Sequence, residues 1–576
     1  MPALPSMPAL PSMPALPYLP FALGHGEARR RASQVDRALC RPATYPHPAG
    51  RIERIETHLS VVYLAGRHAY KRLKPVRFAF VDLATAARRQ RCALAQYRLN
   101  KRLAGPLYLD IRPLLVLGRR SVFGRPFRPG RRRCASVPGE YVVRMRRFET
   151  DALLSVRCAR QAEGLADAEA LAATLARHHL HAPRSRDPHA ARALSQCRAL
   201  LAELDRGTPA QAALHAWYAG ELSRIEPILD RRQAHGFVRA CHGDLHLDNI
   251  VRWRQRILMF DCIDFDEGLR RIDIASDLAF ALMDFCAHDR GDCAHLLMSG
   301  WLARTGDYTA LDVLPCYFVY RALVGALSAR LRDDHAARAR YLRTAERMVA
   351  SRIGAAPCLL LCHGFSGSGK TSASRVLASR LGAIRLSSDA QRKRPLLDAA
   401  QVSRLPASAY SEAAVGAVYQ RLRDQAAEVL ASAHTVIVDA SFLRRQHRAD
   451  FLALASRLGA RAAILDFAAS RATLEARVID RARLARDLSD ADAQVLAHQF
   501  ARAEPLTRSE SAIAIRLDTE RVDTSYQDPA FWQQLLAWSC AGGRWRSPIR
   551  ASGFDQADDS RACTIVHAGA ADVPAA

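Results

Sequence analysis

One eight-residue stretch constrains this chain more than any other. Residues 364–371 read Gly-Phe-Ser-Gly-Ser-Gly-Lys-Thr, a complete match to G-x-x-x-x-G-K-[ST], and they directly follow the apolar run Cys358–Cys362. A strand, a glycine-rich loop and a helix in this order are typical of a phosphate-binding loop. The glycines let backbone N–H groups point inward around phosphates, while Lys370 reaches the β/γ oxygens and the Thr371 hydroxyl ligates Mg²⁺. The stretch therefore predicts a nucleotide site.

The octet residues that we expect to bind ATP lie in the loop or in the first turn of the helix after it. They are Gly364, Ser366, Gly367, Ser368, Gly369, Lys370 and Thr371. Their position after some 350 residues of other sequence requires a second unit before them. A chain of 576 residues is too long for one hydrophobic core, so we expect several domains.

Composition excludes several classes of protein. With 49% hydrophobic and 24% charged residues the chain reads as globular. No run approaches the roughly 18 apolar residues of a membrane span, so we expect no membrane partner. The 14 cysteines are scattered without a C-x-x-C pair, which argues against a disulfide framework and a zinc site. A reducing, cytoplasmic location fits this pattern best.

The formal charge of +27 raises the question of nucleic acid as a partner. Arginine supplies nearly all of the positive charge and is spread throughout the chain, which favours a generally basic exterior. Nucleic acid is therefore a possible but not a favoured partner. The few lysines are informative because a compact ammonium was kept where arginine is the default: Lys71, Lys74, Lys101, Lys370 and Lys393.

The first 18 residues repeat MPALPS, MPALPS and MPALPY. Proline at this spacing forbids a helix, and we interpret residues 1–50 as a disordered, proline-rich extension. Residues 58–64 and 68–73 then flank Ala65-Gly66-Arg67 in a hairpin pattern. A helix from about Leu83, two further strands and a set of long helices follow, which predicts a small sheet with one helix ahead of a helical part.

The densest polar chemistry lies at Cys241-His242-Gly243-Asp244-Leu245-His246-Leu247-Asp248-Asn249, followed by Ile263-Asp264-Phe265. An H-x-D-x-x-x-x-N loop followed by an apolar-Asp-aromatic triplet matches the phosphotransfer layout of kinases. In that layout Asp244 orients or deprotonates a substrate hydroxyl, while Asn249 and Asp264 hold Mg²⁺ on the phosphates of ATP. Asp261 is a second, less well matched candidate for the metal aspartate.

Residues 51–350 resemble the aminoglycoside phosphotransferase family, which has a bilobal protein-kinase-like fold. The resemblance rests on the H-G-D-L-H-x-x-N form of the loop and on Asp273-Ile274-Ala275-Ser276-Asp277-Leu278-Ala279. It implies that Lys71 binds the α/β-phosphates of ATP, that Asp244 is the catalytic base and that Asp277 braces the loop. The helix position expected to pair with Lys71 carries Gln96, a neutral amide. A catalytically silent module that binds or regulates is therefore an alternative for this half.

The second half, 358–538, follows a small-residue linker at 351–357. Apolar runs at 358–363, 383–386, 435–438, 462–467 and 512–517 alternate with helical segments, which predicts a five-stranded parallel sheet flanked by helices. Asp439 ends the third run and suits a carboxylate acting on Mg²⁺. The tail 539–576 is rich in Gly, Asp and Ala, and we expect it to be disordered.

This half resembles the small P-loop kinases, among them adenylate kinase, gluconate kinase, the zeta toxins and the polynucleotide 5′-hydroxyl kinases. The resemblance implies that Asp389 is a general base, that Arg392 orients a phosphate and that Arg477 and Arg481 close on phosphates together with Lys370. We thus predict an ATP- and Mg²⁺-dependent phosphotransferase that acts on the hydroxyl of a small molecule. A polynucleotide 5′-hydroxyl kinase in the second half is the alternative within the enzyme class.

Overall fold

The computed structural model describes residues 26–78, 81–117, 120–127, 140–204, 207–352, 356–393, 411–484 and 493–520, together with Tyr526, Trp532 and Leu535. The predicted disordered tail 539–576 and the methionine-proline repeats lie outside these residues. Within them, none of the helices combines the length and the apolar character that a membrane crossing requires.

The prediction of a disordered extension up to residue 50 is wrong for residues 26–50. Helix α1 (Gly26–Leu39) buries Val35 and Leu39, one turn apart, in an apolar cluster that also contains Tyr45 and Ala49. Because these side chains remove apolar surface from water, the segment after the proline repeats is held on the sheet. The proline pattern that suggested disorder ends near residue 20.

The first half opens with an antiparallel sheet in the order β1-β2-β3-β8-β6-β7, against which helix α2 packs. Its elements are β1 (Glu53–Glu56), β2 (Ser60–Ala65), β3 (His68–Leu73), β4 (Arg77–Phe78), β5 (Val81–Asp82), α2 (Ala86–Leu103), β6 (Tyr108–Leu117), β7 (Arg120–Phe123) and β8 (Glu140–Arg146). Gly66 takes a positive φ of 56° in the two-residue turn between β2 and β3, as the hairpin pattern requires. Helix α2 begins later than predicted because Thr85 caps it by accepting from the Arg88 N–H.

The helical part that follows holds the first candidate site. Its elements are α3 (Leu154–Arg157), α4 (Gln161–His181), α5 (Ala190–Ala202), α6 (Pro209–Ala234), β9 (Val238–Ala240), β10 (Ile250–Trp253), β11 (Arg256–Met259), α7 (Glu267–Arg270), β12 (Arg271–Asp273), α8 (Ile274–Ala287), α9 (Gly291–Thr305), α10 (Leu314–Leu331) and α11 (His335–Arg352). All of α8 and most of α10 are buried, which fits sequences that are apolar around most of the helix.

The second half is a parallel sheet in the order β14-β15-β13-β16-β17. Its elements are β13 (Cys358–His363), α12 (Lys370–Leu381), β14 (Ile384–Ser387), α13 (Ser388–Lys393), α14 (Glu412–Ala431), β15 (Val436–Asp439), α15 (Arg445–Arg457), β16 (Arg461–Ala468), α16 (Arg471–Leu484), α17 (Ala493–Arg502), α18 (Arg508–Ala512) and β17 (Ala514–Asp518). The five parallel strands, with a two-part first half before them, confirm the predicted fold class.

Strand register brings the polar ends of this sheet together. Asp439, the last residue of β15, pairs with Cys362 of β13 on one side and with Ser387 of β14 on the other. Parallel strands present their carboxyl ends at one edge, where ligands of open α/β sheets bind. The octet follows β13 at this edge.

The two halves share buried surface. The largest apolar cluster contains residues of α9 and α10 as well as residues of β13, β14 and α14. Arg352, at the end of α11, donates to the carbonyl oxygens of Ser432 (2.7 Å) and Ala433 (3.2 Å). Helix α11 thus covers the first two residues of the predicted linker, and the domain limits 51–350 and 358–538 stay predictions.

Candidate active sites

The loop around Asp244 is held from behind by α8. Asp277 accepts from the backbone N–H of His242 (3.0 Å) through Oδ2 and from that of Gly243 (2.9 Å) through Oδ1. Burial acts to raise the pKa of the fully buried Asp277, but the hydrogen-bonded His179 ring and, to a smaller extent, His242 hold it well below its ordinary value. Arg321 adds a bond from its guanidinium to the Gly243 carbonyl oxygen at 3.2 Å. The loop backbone is therefore fixed before any ligand arrives.

The structure brings Asp244 and Asn249 together. Nδ2 of Asn249 donates to the backbone oxygen of Asp244 (2.9 Å) and to its Oδ2 (3.1 Å). Oδ1 of Asp244 and Oδ1 of Asn249 are buried and have no hydrogen-bond partner in the described part of the chain. Buried acceptors without donors carry a cost, and they mark sites where a cation or a substrate hydroxyl completes the bonding.

Lys71 projects from β3 and donates to Oδ1 of Asp261, which comes two residues after β11. Burial acts to lower the pKa of this ammonium, but the carboxylates of Asp261 and Asp264 raise it above its ordinary value. Nε2 of Gln96 donates to the same Oδ1 at 3.3 Å. The lysine thus has a carboxylate partner, although the helix position opposite it is an amide.

Asp261 adopts φ = 62°, which is uncommon for a residue other than glycine. Its N–H donates to the Tyr108 hydroxyl (3.2 Å), and the next N–H, that of Cys262, donates to Oδ1 of Asn100 (3.0 Å). Residues held in such a conformation by their surroundings cluster at functional sites.

Asp264 follows Asp261 by three residues. Its Oδ1 accepts from the Cys92 thiol at 3.3 Å, and Oδ2 is buried with no partner among the described residues. Burial, together with Asp261 and against the effect of Lys71, raises the pKa of Asp264 to about 7. Both candidate aspartates therefore stand near Lys71, and the side chain of Asp261 is 23% exposed.

Sequence reasoning missed His179, which lies near the end of α4 beside His178 and His181. The ring is fully buried: Nδ1 accepts from the Trp301 indole N–H (3.0 Å), and Nε2 lies 3.2 Å from Oδ2 of Asp277. The signal was present, since His179 continues the buried face of α4 at helical spacing from Ala172 and Leu175. His179, Cys241 and Asp277 come close to one another, but their polar atoms are engaged in hydrogen bonds to the protein.

The octet of the second half forms a tight loop between β13 and α12. Gly364 (φ 143°), Gly367 (φ 84°) and Gly369 (φ 82°) all take positive φ angles. A Cβ on Gly364 would lie 2.8 Å from the Phe467 carbonyl oxygen, so only glycine fits there. Lys370 begins α12, and its ammonium donates to the Phe365 carbonyl oxygen (2.5 Å) and to Ser368 Oγ (3.3 Å). Thr371 occupies the next position in the first turn.

The carboxylates predicted for this site are paired with arginines. Asp439 bonds Arg385, whose Nε also donates to Ser374 Oγ on α12 at 2.8 Å. Asp389, the second residue of α13, accepts from Arg392 at 2.6 Å. Arg385 was missed by the sequence analysis; a charged residue in the interior of a short buried strand was the available signal.

Arg477, on α16, reaches the octet. Its guanidinium donates to the carbonyl oxygens of Gly367 (3.4 Å) and Thr519 (2.5 Å). Arg481 is on the same helix, but its side chain lies outside the described residues. Gln499 of α17 also contacts the octet: Oε1 accepts from the Ser366 N–H at 2.9 Å.

Comparison with known proteins gives a family match within each half of the chain. Residues 142–314 match the model of the phosphotransferase enzyme family, and residues 359–506 match the model of an AAA domain. The uncharacterized protein Rv2004c of Mycobacterium tuberculosis (strain ATCC 25618 / H37Rv) is 31% identical over 476 residues, which cover 78% of this chain and 89% of that protein. The chain belongs to the same family as Rv2004c. It is an enzyme of the kinase, or phosphotransferase, class, as predicted.

Two solved structures are similar to parts of this chain. The GDP and kanamycin complex of APH(2")-IIia is 14% identical, with 55% of this chain and 99% of that chain covered and a TM-score of 0.36. A sugar kinase from Janibacter sp. HTCC2649 is 18% identical, with 34% of this chain and 98% of that chain covered and a TM-score of 0.25.

Proposed function

We propose that the protein transfers the γ-phosphoryl group of ATP to a hydroxyl of a small molecule, and that each half binds a nucleotide. The observation that carries the proposal is the convergence on one cleft of a lysine ammonium and a set of oxygen ligands. Lys71 bonds Asp261, and the Phe260 N–H, one residue before Asp261, donates to the Asn249 carbonyl oxygen (2.9 Å). Oδ1 of Asp244 and Oδ1 of Asn249 are buried without a partner among the described residues. The octet supplies a second phosphate site, which uses none of the residues of the first.

The donor set fits Mg²⁺, which prefers carboxylate and amide oxygens. In the first half Asn249 and Asp261 would hold the ion, because Oδ1 of Asn249 is buried without a described partner and the side chain of Asp261 is partly exposed. This choice departs from the sequence-based preference for Asp264, because Oδ1 of Asp264 accepts from the Cys92 thiol and burial raises its pKa. In the second half Thr371 and Asp439 would hold it. When bound, Mg²⁺ neutralises charge on the phosphates.

The residues of the first half then have separate tasks. Asp244 accepts the proton of the acceptor hydroxyl through Oδ1 as the oxygen attacks the phosphorus. Lys71 stabilises negative charge on the phosphates, and Asp261 keeps its ammonium in place. Asp277 and Arg321 hold the loop so that Asp244 needs no reorganisation. Since Asp261 supplies the carboxylate that Gln96 lacks, this half is proposed as an active enzyme rather than a silent module.

In the second half the octet amides, Lys370 and Arg477 act on the phosphates, while Asp389 is the base for the acceptor. Arg392 and Arg481 are proposed to contact phosphate. Positioning and charge stabilisation account for catalysis in this class, and no covalent intermediate is required.

The test is transfer from γ-labelled ATP to a panel of small hydroxyl compounds, with an oligonucleotide 5′-hydroxyl included. The full chain is compared with Lys370→Ala, Asp244→Ala and the double variant. Each single variant should lose at least about 100-fold of transfer to one group of acceptors. If both single variants transfer phosphate at the parental rate, the proposal is wrong. Transfer to the oligonucleotide alone would favour the polynucleotide kinase.

A further inference from the structure

Two consecutive residues of α17 contact two consecutive residues of the octet. The Phe500 ring lies 4.5 Å from the Phe365 ring, centroid to centroid. Beside it, Gln499 makes two bonds to Ser366: Oε1 accepts from the backbone N–H at 2.9 Å, and Nε2 donates to Oγ at 3.0 Å. Two adjacent residues of α17 thus hold the phosphate loop, Phe500 by an apolar contact and Gln499 by its carboxamide.

The orientation of the Gln499 carboxamide follows from the chemistry of its partners. A backbone N–H can bond only the amide oxygen, so Oε1 must face Ser366 N and Nε2 must face Oγ. Because Oγ then accepts a hydrogen bond, the Ser366 hydroxyl can direct its own proton toward an anion on the loop.

The other end of the same peptide group holds Lys370. The Phe365 carbonyl oxygen accepts from the Lys370 ammonium at 2.5 Å, and the N–H of that peptide is the one bonded to Gln499. Hydrogen bonds at both ends of one peptide group polarise it and strengthen each other. The direction in which this peptide points therefore decides where the ammonium rests.

Helix α17 is anchored well enough to perform this task. Leu496 packs with Leu474 and Val478 of α16 in a small apolar cluster to which Phe365 and Phe500 also belong. Beyond the helix, Glu504 accepts from the Arg445 N–H (2.5 Å) and donates its own N–H to the Leu443 carbonyl oxygen (2.9 Å). Both attachments lie close to the carboxyl edge of the sheet.

We propose that Gln499 is a positioning residue for phosphoryl transfer in the second half. It fixes the Phe365–Ser366 peptide, which in turn holds the Lys370 ammonium at the γ-phosphate of a bound nucleoside triphosphate. This inference rests on the proposed nucleotide function of the octet. Gln499 lies outside the phosphate-loop motif, so the motif alone does not identify it.

The experiment measures turnover of Mg-ATP in an Asp244→Ala background, which leaves the octet as the active site. Gln499→Ala should lower kcat by at least about ten-fold, with KM for Mg-ATP changed by less than about three-fold, because the loss falls on the geometry of the transition state. His498→Ala, an exposed neighbour on the same helix, should leave both constants unchanged.

Gln499→Glu separates positioning from packing. A carboxylate still accepts from the Ser366 N–H, but it sets a negative charge beside the phosphates. KM for Mg-ATP should therefore rise several-fold at about pH 8 and return toward the parental value at about pH 5, where the carboxyl group takes up a proton. A residue that only packs the helix would give no such pH dependence.

The outcomes are distinguishable. If Lys370→Ala in the same background turns over ATP as fast as the parent, the proposed function of the octet fails, and this inference fails with it. If Lys370→Ala is inactive while Gln499→Ala keeps the parental kcat and Gln499→Glu lacks the pH-dependent KM, the positioning role alone is overturned. Should Gln499→Ala unfold, the pH dependence of Gln499→Glu decides the matter.

Discussion

The indole N–H of Trp301 donates to Nδ1 of His179 at 3.0 Å, and the opposite nitrogen of the same ring lies 3.2 Å from Oδ2 of Asp277. Since Nδ1 accepts, the proton of the neutral ring is on Nε2 and points at the carboxylate. A chain of side chains thus runs from α9 to the backbone of the loop that carries Asp244.

From these hydrogen bonds we expect His179→Ala to lower turnover by the first half about ten-fold. Asp277 loses a donor, and the loop that carries Asp244 loses its fixed position. The measurement is ATP turnover in a Lys370→Ala background. His179→Gln can accept from Trp301 and donate to Asp277, so it should recover part of the loss. His181→Ala, exposed on the same helix, is the control. A loss of stability with unchanged kcat would mean that the ring only fills the core.

The position of Asp261 predicts an unequal effect of two similar substitutions. Asp261→Asn removes the carboxylate that holds Lys71 and should reduce turnover by the first half about 100-fold or more. Asp264, whose Oδ1 bonds the Cys92 thiol, should matter less, and Asp264→Asn should reduce the same turnover by less than about ten-fold. Steady-state kinetics at saturating Mg²⁺ in the Lys370→Ala background compares the two. The reverse ranking would restore Asp264 as the principal ligand.

Gly364 predicts a loss of nucleotide binding on the smallest possible substitution. In Gly364→Ala the new Cβ meets the Phe467 carbonyl oxygen, a backbone atom that cannot move aside, at a φ of 143°. Calorimetric titration with Mg-ATP in a Lys71→Ala background, which weakens the nucleotide site of the first half, should show at least a ten-fold weaker affinity, on the order of 1.4 kcal/mol. Gly416→Ala is the matched control, since a Cβ there meets nothing within 4 Å. In the second turn of α14 this substitution should stabilise the fold by about 0.5–1 kcal/mol.

The pair formed by Glu510 and the buried Arg448 predicts an acid-sensitive contribution to stability. Arg448 donates to both carboxylate oxygens (2.8 and 3.1 Å). Burial acts to raise the pKa of Glu510, but Arg448 and the Thr507 N–H lower it from 4.5 to about 2. A depressed carboxyl pKa stabilises the fold above the unfolded-state value and loses this effect as the pH falls from about 4.5 to about 2. We expect a contribution on the order of 1–3 kcal/mol at neutral pH.

Thermal or urea unfolding of the full chain between about pH 7 and pH 3 measures this contribution. Glu510→Gln should be destabilised at neutral pH by about 3–5 kcal/mol, because Arg448 is left buried without its counter-charge, and should lose less stability than the parent on acidification. Glu475→Gln, which breaks an exposed pair with Arg471, should change stability by less than about 1 kcal/mol. Equal acid sensitivity of parent and Glu510→Gln would contradict the assignment.

The sequence by itself determined the elements that depend on local patterns. The parallel sheet, the hairpin with Lys71 on its second strand and the octet between β13 and α12 were all predicted, because strand patterns, turn glycines and a phosphate-binding motif are written in neighbouring residues. The same holds for the loop with Asp244 and Asn249, whose spacing is fixed within eight residues.

Only the tertiary structure decided which distant residues meet. That Lys71 pairs with Asp261, 190 positions away, depends on how the sheet packs on the helical part, and the motif spacing favoured Asp264 instead. His179 and Gln499 carry no motif, and they acquire a role because folding sets α4 beside α8 and α17 beside the octet. Motifs are set by residues that are neighbours in sequence. Contacts between distant residues are set by the burial of apolar faces, and no single segment specifies that burial.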